Sequence, residues 1–226
     1  MKTIGLLGGT GWASTILYYK QLNELVGEHL GGYHSAKILL KSIDYHDIMG
    51  FYNTDKVASI LQNELSDLLA CKPDCLIICC NSLHKYYDMI KDKLNISIPV
   101  FHAVELVRDA IIQKKFHTVL LLATTFTLND GFFAKTLERR GIKVLTPNAQ
   151  EREHMKKIHD ELMQNHVTEI SKKYVGDLIA SYENAQVVVL GCTEYSMIVD
   201  ATNSVLPMID PVQLQTTQAV EWACAE

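Results

Sequence analysis

The chain has 226 residues, of which 48% are hydrophobic and 21% are charged, and its formal net charge is −5. This length suffices for one large α/β domain or two small ones, each with a buried core. The negative charge is modest and dispersed along the chain. It argues against a nucleic-acid or anionic-membrane partner, because proteins bind such partners through clusters of basic residues. All apolar runs fall short of the roughly 20 residues that span a bilayer.

The N-terminus leads directly from Met1 and Lys2 into an apolar strand and a glycine-rich turn, which is unlike a secretory signal. We therefore expect a cytoplasmic protein, in which the six cysteines stay reduced. Cys71, Cys75, Cys79 and His84 could in principle bind a metal ion. Because no second Cys-x-x-Cys pair completes such a site, no metal is expected.

Hydrophobic periodicity predicts strands that alternate with helices along the whole chain. Strands are predicted over residues 2–7, 36–43, 75–80, 99–101, 118–123, 143–145 and 187–190. Helices are predicted over residues 12–30, 57–70, 83–93, 103–113, 132–140, 150–164, 169–182 and 212–223, and a polar loop over 44–47. Such alternation is typical of parallel sheets that are covered on both faces and bind ligands at the carboxyl ends of their strands.

The alternation runs through two similar rounds, which indicates two α/β lobes, each a parallel-sheet sandwich. We place the first lobe at residues 1–98 and the second at 99–207. The final segment, residues 208–226, is predicted to return as a helix that packs on the first lobe. No low-complexity linker separates the two rounds.

A glycine-rich turn follows the first strand, at Gly8, Gly9 and Gly11. The dinucleotide-binding fingerprint fails because its third glycine is replaced by Ser14, and the Gly-Lys-Ser/Thr of a Walker motif is absent. A strand-to-helix turn of this kind can still hold an anion, such as a substrate carboxylate, with its backbone N–H groups. The alternative is a tight turn without a ligand.

Two cysteines stand at matching places in the two rounds. Cys80 follows an apolar strand and precedes Asn81 and Ser82, and Cys192 follows another strand and precedes a threonine and a glutamate. A single cysteine of this kind is more often a small buried residue, but its repetition favours a chemical role. A cysteine at the N-terminus of a helix has a lowered pKa, because the helix dipole favours the negatively charged thiolate. Since neighbours in a strand face opposite ways, Cys79 is predicted to pack in the core.

Two thiols on opposite sides of a substrate suit the inversion of a stereocentre. One thiolate removes a proton from one face and the other thiol delivers a proton to the opposite face. Fixed hydrogen-bond donors around the substrate carboxylate stabilise the charge that develops. His84, which follows Cys80 in the same motif, either orients the substrate, lowers the pKa of Cys80 or has a structural role.

These motifs resemble the aspartate/glutamate racemase family of cofactor-independent amino-acid racemases. Residues 80–84, Cys-Asn-Ser-Leu-His, are similar to the family's Cys-Asn-Thr-x-His, and residues 191–194, Gly-Cys-Thr-Glu, match its second cysteine motif. Residues 8–15, with Tyr18, Tyr19 and Asn23, resemble the N-terminal block, and residues 42–45 resemble its Ser-Val-Asp-Phe. Residues 124–127 fall at its Gly-Thr loop.

The resemblance implies two pseudo-symmetric lobes, an active site in the cleft between them, no cofactor, and a homodimer acting on a small amino acid. Cys80 and Cys192 would be the catalytic bases. The residues expected to bind substrate are Gly9, Thr10, Asn81, Ser82, Thr124, Thr125, Thr193 and Glu194.

Departures from the family pattern leave the substrate open between aspartate, glutamate and other amino acids. His159 stands where members often have tyrosine, and Met163 where aspartate-specific members can carry a basic residue. Two other functions remain possible. One is isomerisation or decarboxylation of a small dicarboxylate of the maleate or malonate type, and the other is a catalytically silent carboxylate-binding protein.

Overall fold

A computed structural model describes residues 1–52 and 54–225, and these form two compact units. The first unit contains Met1–Ala103 and Val212–Glu226, and the second contains Val104–Pro211. The first unit is therefore assembled from both ends of the chain.

The chain alternates strands and helices throughout. The strands are β1 (Ile4–Gly8), β2 (Ile38–Ser42), β3 (Cys75–Ile78), β4 (Thr118–Leu122), β5 (Lys143–Leu145), β6 (Val187–Leu190) and β7 (Met208–Ile209). The helices are α1 (Trp12–Leu30), α2 (His46–Met49), α3 (Asp55–Ala70), α4 (Leu83–Leu94), α5 (Ala103–Gln113), α6 (Thr125–Asp130), α7 (Phe132–Glu138), α8 (Ala149–Met163), α9 (Glu169–Ser181) and α10 (Pro211–Cys224). A 3-10 helix, Thr193–Met197, follows β6.

The sheet of the first unit has the order β2-β1-β3, with all strands parallel. The central strand β1 is buried along its whole length, as expected for an apolar strand covered on both faces. Helix α10 is anchored in this unit by Gln215, whose Nε2 donates to the Phe101 carbonyl and whose Oε1 accepts from the Tyr18 hydroxyl, both at 2.6 Å. With these two bonds, both the donor and the acceptor of the buried Gln215 amide have a partner.

The sheet of the second unit has the order β5-β4-β6-β7, again entirely parallel. Its first three strands in the chain repeat the arrangement of the first unit, with the first strand between the second and the third. The core beside it is formed by apolar residues of β4, β6, α8 and α9, among them Leu120, Ile158 and Val188. Cys192 belongs to this core cluster.

The prediction of an α/β protein with parallel sheets is confirmed, and the bounds of α1, α5, β5 and β6 agree with the predicted ones. Three local predictions are wrong: the polar loop at 44–47 runs into the short helix α2, no strand forms at 99–101 beyond a single bridge between Val100 and Leu76, and residues 208–209, predicted within the final helix, form β7. Helix α6 and the 3-10 helix were not predicted. Such short elements carry too little periodicity to be recognised. Among residues 1–52 and 54–225, no helix has both the length and the apolarity to cross a membrane.

Candidate active site

Cys80 lies in the turn between β3 and α4, where the parallel strand delivers it to its carboxyl end. The thiol is half-buried, whereas the neighbouring Cys79 has no exposed surface. Burial raises the pKa of Cys79 well above its ordinary value, so this thiol stays neutral. The two adjacent cysteines thus have different environments, and Cys80 is the accessible one.

A short chain of hydroxyl groups leads to Cys80. Its Sγ lies 3.2 Å from the Ser82 Oγ, and that oxygen lies 3.3 Å from the Tyr52 hydroxyl. Burial raises the pKa of Tyr52, and the nearby Cys80 raises it further, so the phenol keeps its proton. Tyr52 was not predicted, because it lies in the segment between α2 and α3 and outside the motif at residues 42–45.

His84 occupies the core of the first unit. It has no exposed surface, and its Nε2 accepts a hydrogen bond from the Ala103 N–H at 3.4 Å. Burial lowers the pKa of His84 well below its ordinary value, and the ring of His102, with its centroid 4.2 Å away, lowers it further. A neutral, enclosed imidazole holds α4 against the start of α5, which favours the structural role.

The glycine-rich turn places Thr10 in a buried position and leaves Gly9 half-buried. The Gly9 N–H donates to the Thr15 Oγ1 at 3.0 Å. This N–H therefore already has an acceptor inside the turn. Asn81, next to Cys80, is also buried, so the first unit brings together Cys80, Asn81 and Ser82 from one turn.

Cys192 lies just after β6, at the start of the 3-10 helix, and is 7% exposed. Its Sγ donates to Oε2 of Glu194 at 2.9 Å, and the Thr193 Oγ1 donates to the same oxygen at 3.1 Å. All three side chains are buried. The second unit thus places a carboxylate directly beside its thiol, in contrast to the hydroxyl group beside Cys80.

His159 of α8 completes this group. One ring nitrogen of His159, the Cys192 Sγ and a Glu194 carboxylate oxygen all lie within 4.8 Å of one another. Thiolate, imidazole and carboxylate are all ligands of Zn²⁺, so these are residues that could hold a metal ion. In the sequence, His159 is distinguished only by its departure from tyrosine, because its separation from Cys192 along the chain hides their closeness in space.

Two further threonines predicted to bind substrate, Thr124 and Thr125, have different settings. The Thr124 Oγ1 accepts a hydrogen bond from the Thr127 N–H at 3.2 Å and thereby caps α6. Thr125 is exposed at the first position of that helix. Within the second unit, the side chains that meet at the thiol include those of Cys192, Thr193, Glu194 and His159.

The family described as Asp/Glu/Hydantoin racemase matches residues 7–219, which is nearly the whole chain. The chain belongs to this family. It is 24% identical over 208 residues to the glutamate racemase of Clostridium acetobutylicum, covering 84% of this chain and 78% of that protein. Because racemases are isomerases, family membership makes this chain an enzyme of the isomerase class.

Solved structures of the family have the same fold over their full lengths. A proposed Asp/Glu racemase from Yersinia pestis is 31% identical, with a TM-score of 0.85 and 100% of both chains covered. An aspartate racemase homologue from Pyrococcus horikoshii OT3, PH1733, is 27% identical, with a TM-score of 0.84 and again 100% of both chains covered. The racemase family and its α/β fold, both expected from the sequence, are therefore confirmed.

Proposed function

We propose that the protein is a cofactor-independent racemase that interconverts the L and D forms of aspartate, glutamate or both. The observation that carries the proposal is the placement of Cys80 and Cys192. Each thiol follows a fully buried parallel strand and contacts a hydrogen-bonding side chain two residues later, Ser82 in one unit and Glu194 in the other. The names of the relatives, glutamate racemase and aspartate racemase homologue, support the substrate class.

The proposed reaction is a proton exchange at Cα between two thiols. In one direction a thiolate at one cysteine takes the α-proton, the Cα–H bond breaks and an S–H bond forms. The thiol of the other cysteine then protonates the opposite face and becomes the thiolate. The mechanism requires both thiols at one substrate molecule, with their roles exchanged for the opposite enantiomer.

The residues beside the thiols would tune them and hold the substrate. The Glu194 carboxylate accepts a hydrogen bond from the Cys192 S–H, so it can either stabilise the protonated thiol or accept its proton. Asn81, Ser82 and Thr193 offer donors to a substrate carboxylate, whose charge increases as Cα loses its proton.

We also propose that the protein is a cytoplasmic homodimer. Light scattering should then report a mass twice that of one chain.

The first test is proton NMR of L- and D-aspartate and of L- and D-glutamate with the reduced protein in D2O. Racemisation predicts loss of the α-proton signal and, by chiral analysis, conversion of each enantiomer into the other. Absence of exchange in all four would exclude the acidic amino acids as substrates.

The second test addresses the two thiols. Cys80→Ser and Cys192→Ser should each slow inversion by at least about 100-fold, because a hydroxyl is a far weaker base than a thiolate. Cys71→Ser, which changes an exposed thiol of α3's C-terminal end, is the matched control and should retain the wild-type rate. Near wild-type inversion by either of the first two variants would rule out the two-base mechanism.

A further inference from the structure

The group around Cys192 contains one side chain, His159, that the proposed proton transfer does not use. A general base requires one neighbour to adjust its protonation, but here an imidazole and a carboxylate both converge on the thiol. Two of the three side chains, Cys192 and Glu194, are buried, and His159 is largely covered, with 17% of its side chain exposed. Three different donors collected at one point are the usual arrangement of a metal site.

We propose that His159, Cys192 and Glu194 bind a thiophilic divalent cation of the Zn²⁺ class, and that this binding reversibly switches the enzyme off. The donor set selects such an ion, because thiolate and imidazole favour Zn²⁺ over the harder Mg²⁺ and Ca²⁺. Three protein donors leave a fourth position for water or a substrate group.

The distances allow this coordination with small movements. With bond lengths of about 2.0 to 2.3 Å, two ligands on a tetrahedral Zn²⁺ lie roughly 3.3 to 3.8 Å apart. The three donor atoms here already lie within 4.8 Å of one another, and Cys192 Sγ and Glu194 Oε2 are 2.9 Å apart. Rotation of the His159 side chain, which is 17% exposed, and a small separation of thiol and carboxylate would complete the site.

A neighbouring hydroxyl is placed to orient the carboxylate ligand. The Thr193 Oγ1 donates to the Glu194 Oε2 at 3.1 Å, an arrangement that restrains a ligating carboxylate in many metal sites. The Cys192 S–H bond would break on binding, its proton would leave to solvent, and the sulfur would form the bond to the ion. A metal-bound thiolate cannot accept the α-proton, and this gives the inhibition.

Metal binding can be measured without any assay of racemisation. Metal-free protein, reduced with a phosphine, would be titrated with Zn²⁺ in the presence of a chromophoric chelator. We expect one high-affinity ion per chain, and at least about tenfold weaker binding in both His159→Gln and Cys192→Ser. His154→Gln is the matched control, because His154 is also on α8 but stacks on Tyr174 with ring centroids 3.8 Å apart.

The outcomes separate the metal site from the racemase. Unchanged Zn²⁺ affinity in His159→Gln or in Cys192→Ser, with thermal unfolding showing that the variant is folded, would overturn the three-donor site. Replacing Zn²⁺ with Co²⁺ gives a second criterion, because a thiolate-to-cobalt charge-transfer band must be present in the wild type and absent in Cys192→Ser.

The inhibitory half of the inference rests on the proposed function. Zn²⁺ should suppress α-proton exchange over the same concentration range in which it occupies the site, and a chelator should restore the exchange. Full activity with the site occupied would overturn the inhibition. A protein that binds Zn²⁺ at these residues but exchanges no α-proton would refute the proposed racemase and leave the metal site standing.

Discussion

The two candidate bases differ in their immediate neighbours. Cys80 contacts a neutral hydroxyl group, that of Ser82, whereas Cys192 donates to the Glu194 carboxylate. A carboxylate favours the protonated form of an adjacent thiol, since a second negative charge beside it is unfavourable. The chemistry at the two faces of a substrate is therefore expected to be unequal, although the overall equilibrium between enantiomers is one to one.

This asymmetry predicts the effect of Glu194→Gln. The amide keeps the size of the side chain but can neither carry the charge nor take up a proton. We expect racemisation to fall at least about tenfold, with a primary isotope effect on α-deuterated substrate that changes unequally for the two enantiomers. Glu183→Gln, at an exposed site of the same unit, should leave the rate and both isotope effects unchanged. Equal rates in the two variants would contradict a role for Glu194.

A second prediction concerns the hydroxyl chain at Cys80. Tyr52→Phe removes the phenol that lies 3.3 Å from the Ser82 Oγ and leaves the ring in place. Loss of one hydrogen bond is worth about 0.5 to 1.5 kcal/mol, so the exchange rate should fall roughly 2- to 10-fold. Tyr33→Phe, at a fully exposed tyrosine, is the control. A Tyr52→Phe rate within error of that control would show that the chain of hydroxyls does not act on Cys80.

At the scale of elements, the turn between β1 and α1 determines how the first strand meets its helix. Gly9 has φ of +94°, in the region that side chains rarely adopt. A Cβ at this position would also clash with the backbone oxygen and nitrogen of Ile43, which follows β2. The turn therefore combines a conformational requirement with close backbone contact.

Gly9→Ala should consequently destabilise the first unit. We expect a loss of at least about 2 kcal/mol in the free energy of unfolding, from the strained φ together with the clash. Gly31→Ala separates the two causes, since Gly31 has φ of +72° but nothing within 4 Å of a new Cβ, and it should cost about 1 kcal/mol. Urea unfolding followed by tryptophan fluorescence reports this unit, because both Trp12 and Trp222 belong to it. Equal losses would mean that the contact with Ile43 is relieved.

At the scale of the whole molecule, the buried His84 links stability to pH. Its pKa in the folded protein is lowered by burial, whereas that of an unfolded histidine is about 6.5. Below about pH 6.5, His84 is protonated in the unfolded state but stays neutral in the folded state. Stability is therefore complete above about pH 6.5 and declines as the pH falls toward the folded pKa.

The expected decline is at most about 1.4 kcal/mol per pH unit for this one group. Urea unfolding between pH 7.5 and 5, followed by tryptophan fluorescence, should show this decline in the free energy of unfolding. The His84→Gln variant should show a smaller pH dependence, whether or not the substitution also changes the stability at pH 7.5. Asp88, whose pKa is lowered chiefly by the His102 ring with its Nε2 3.6 Å from the carboxylate, adds a decline only at more acidic pH, below about 4. A His84→Gln variant with the wild-type slope would assign the effect to other groups.

The order of elements was predictable because the hydrophobic periodicity of a long segment indicates whether it forms a helix or a strand. Helix α1 has buried residues recurring at helical spacing, including Tyr18, Leu22 and Val26, and its predicted bounds agree with the structure. Short elements such as α2 and α6 were not predictable, since four to six residues do not complete a recognisable period. The different settings of Cys79 and Cys80 followed from alternation alone.

The candidate site was only partly predictable. Glu194 and Ser82 lie two residues from their cysteines, so their contacts with the thiols arise within one turn. Tyr52 and His159 come from other elements, and no local pattern marks either. The metal-ligating potential of the Cys192 group was not predictable for the same reason, because His159 is separated from Cys192 along the chain and forms no short metal-binding motif with it.

The sequence by itself determined the alternation of strands and helices, the placement of a thiol after a buried strand in each half, and the racemase family. These properties reside in local periodicity and contiguous motifs. Only the tertiary structure decided which distant side chains reach each thiol, and which hydrogen bonds, those of Gln215, hold α10 in the first unit. The physical reason is that packing joins residues by the geometry of whole elements, and separation along the chain does not reveal such contacts.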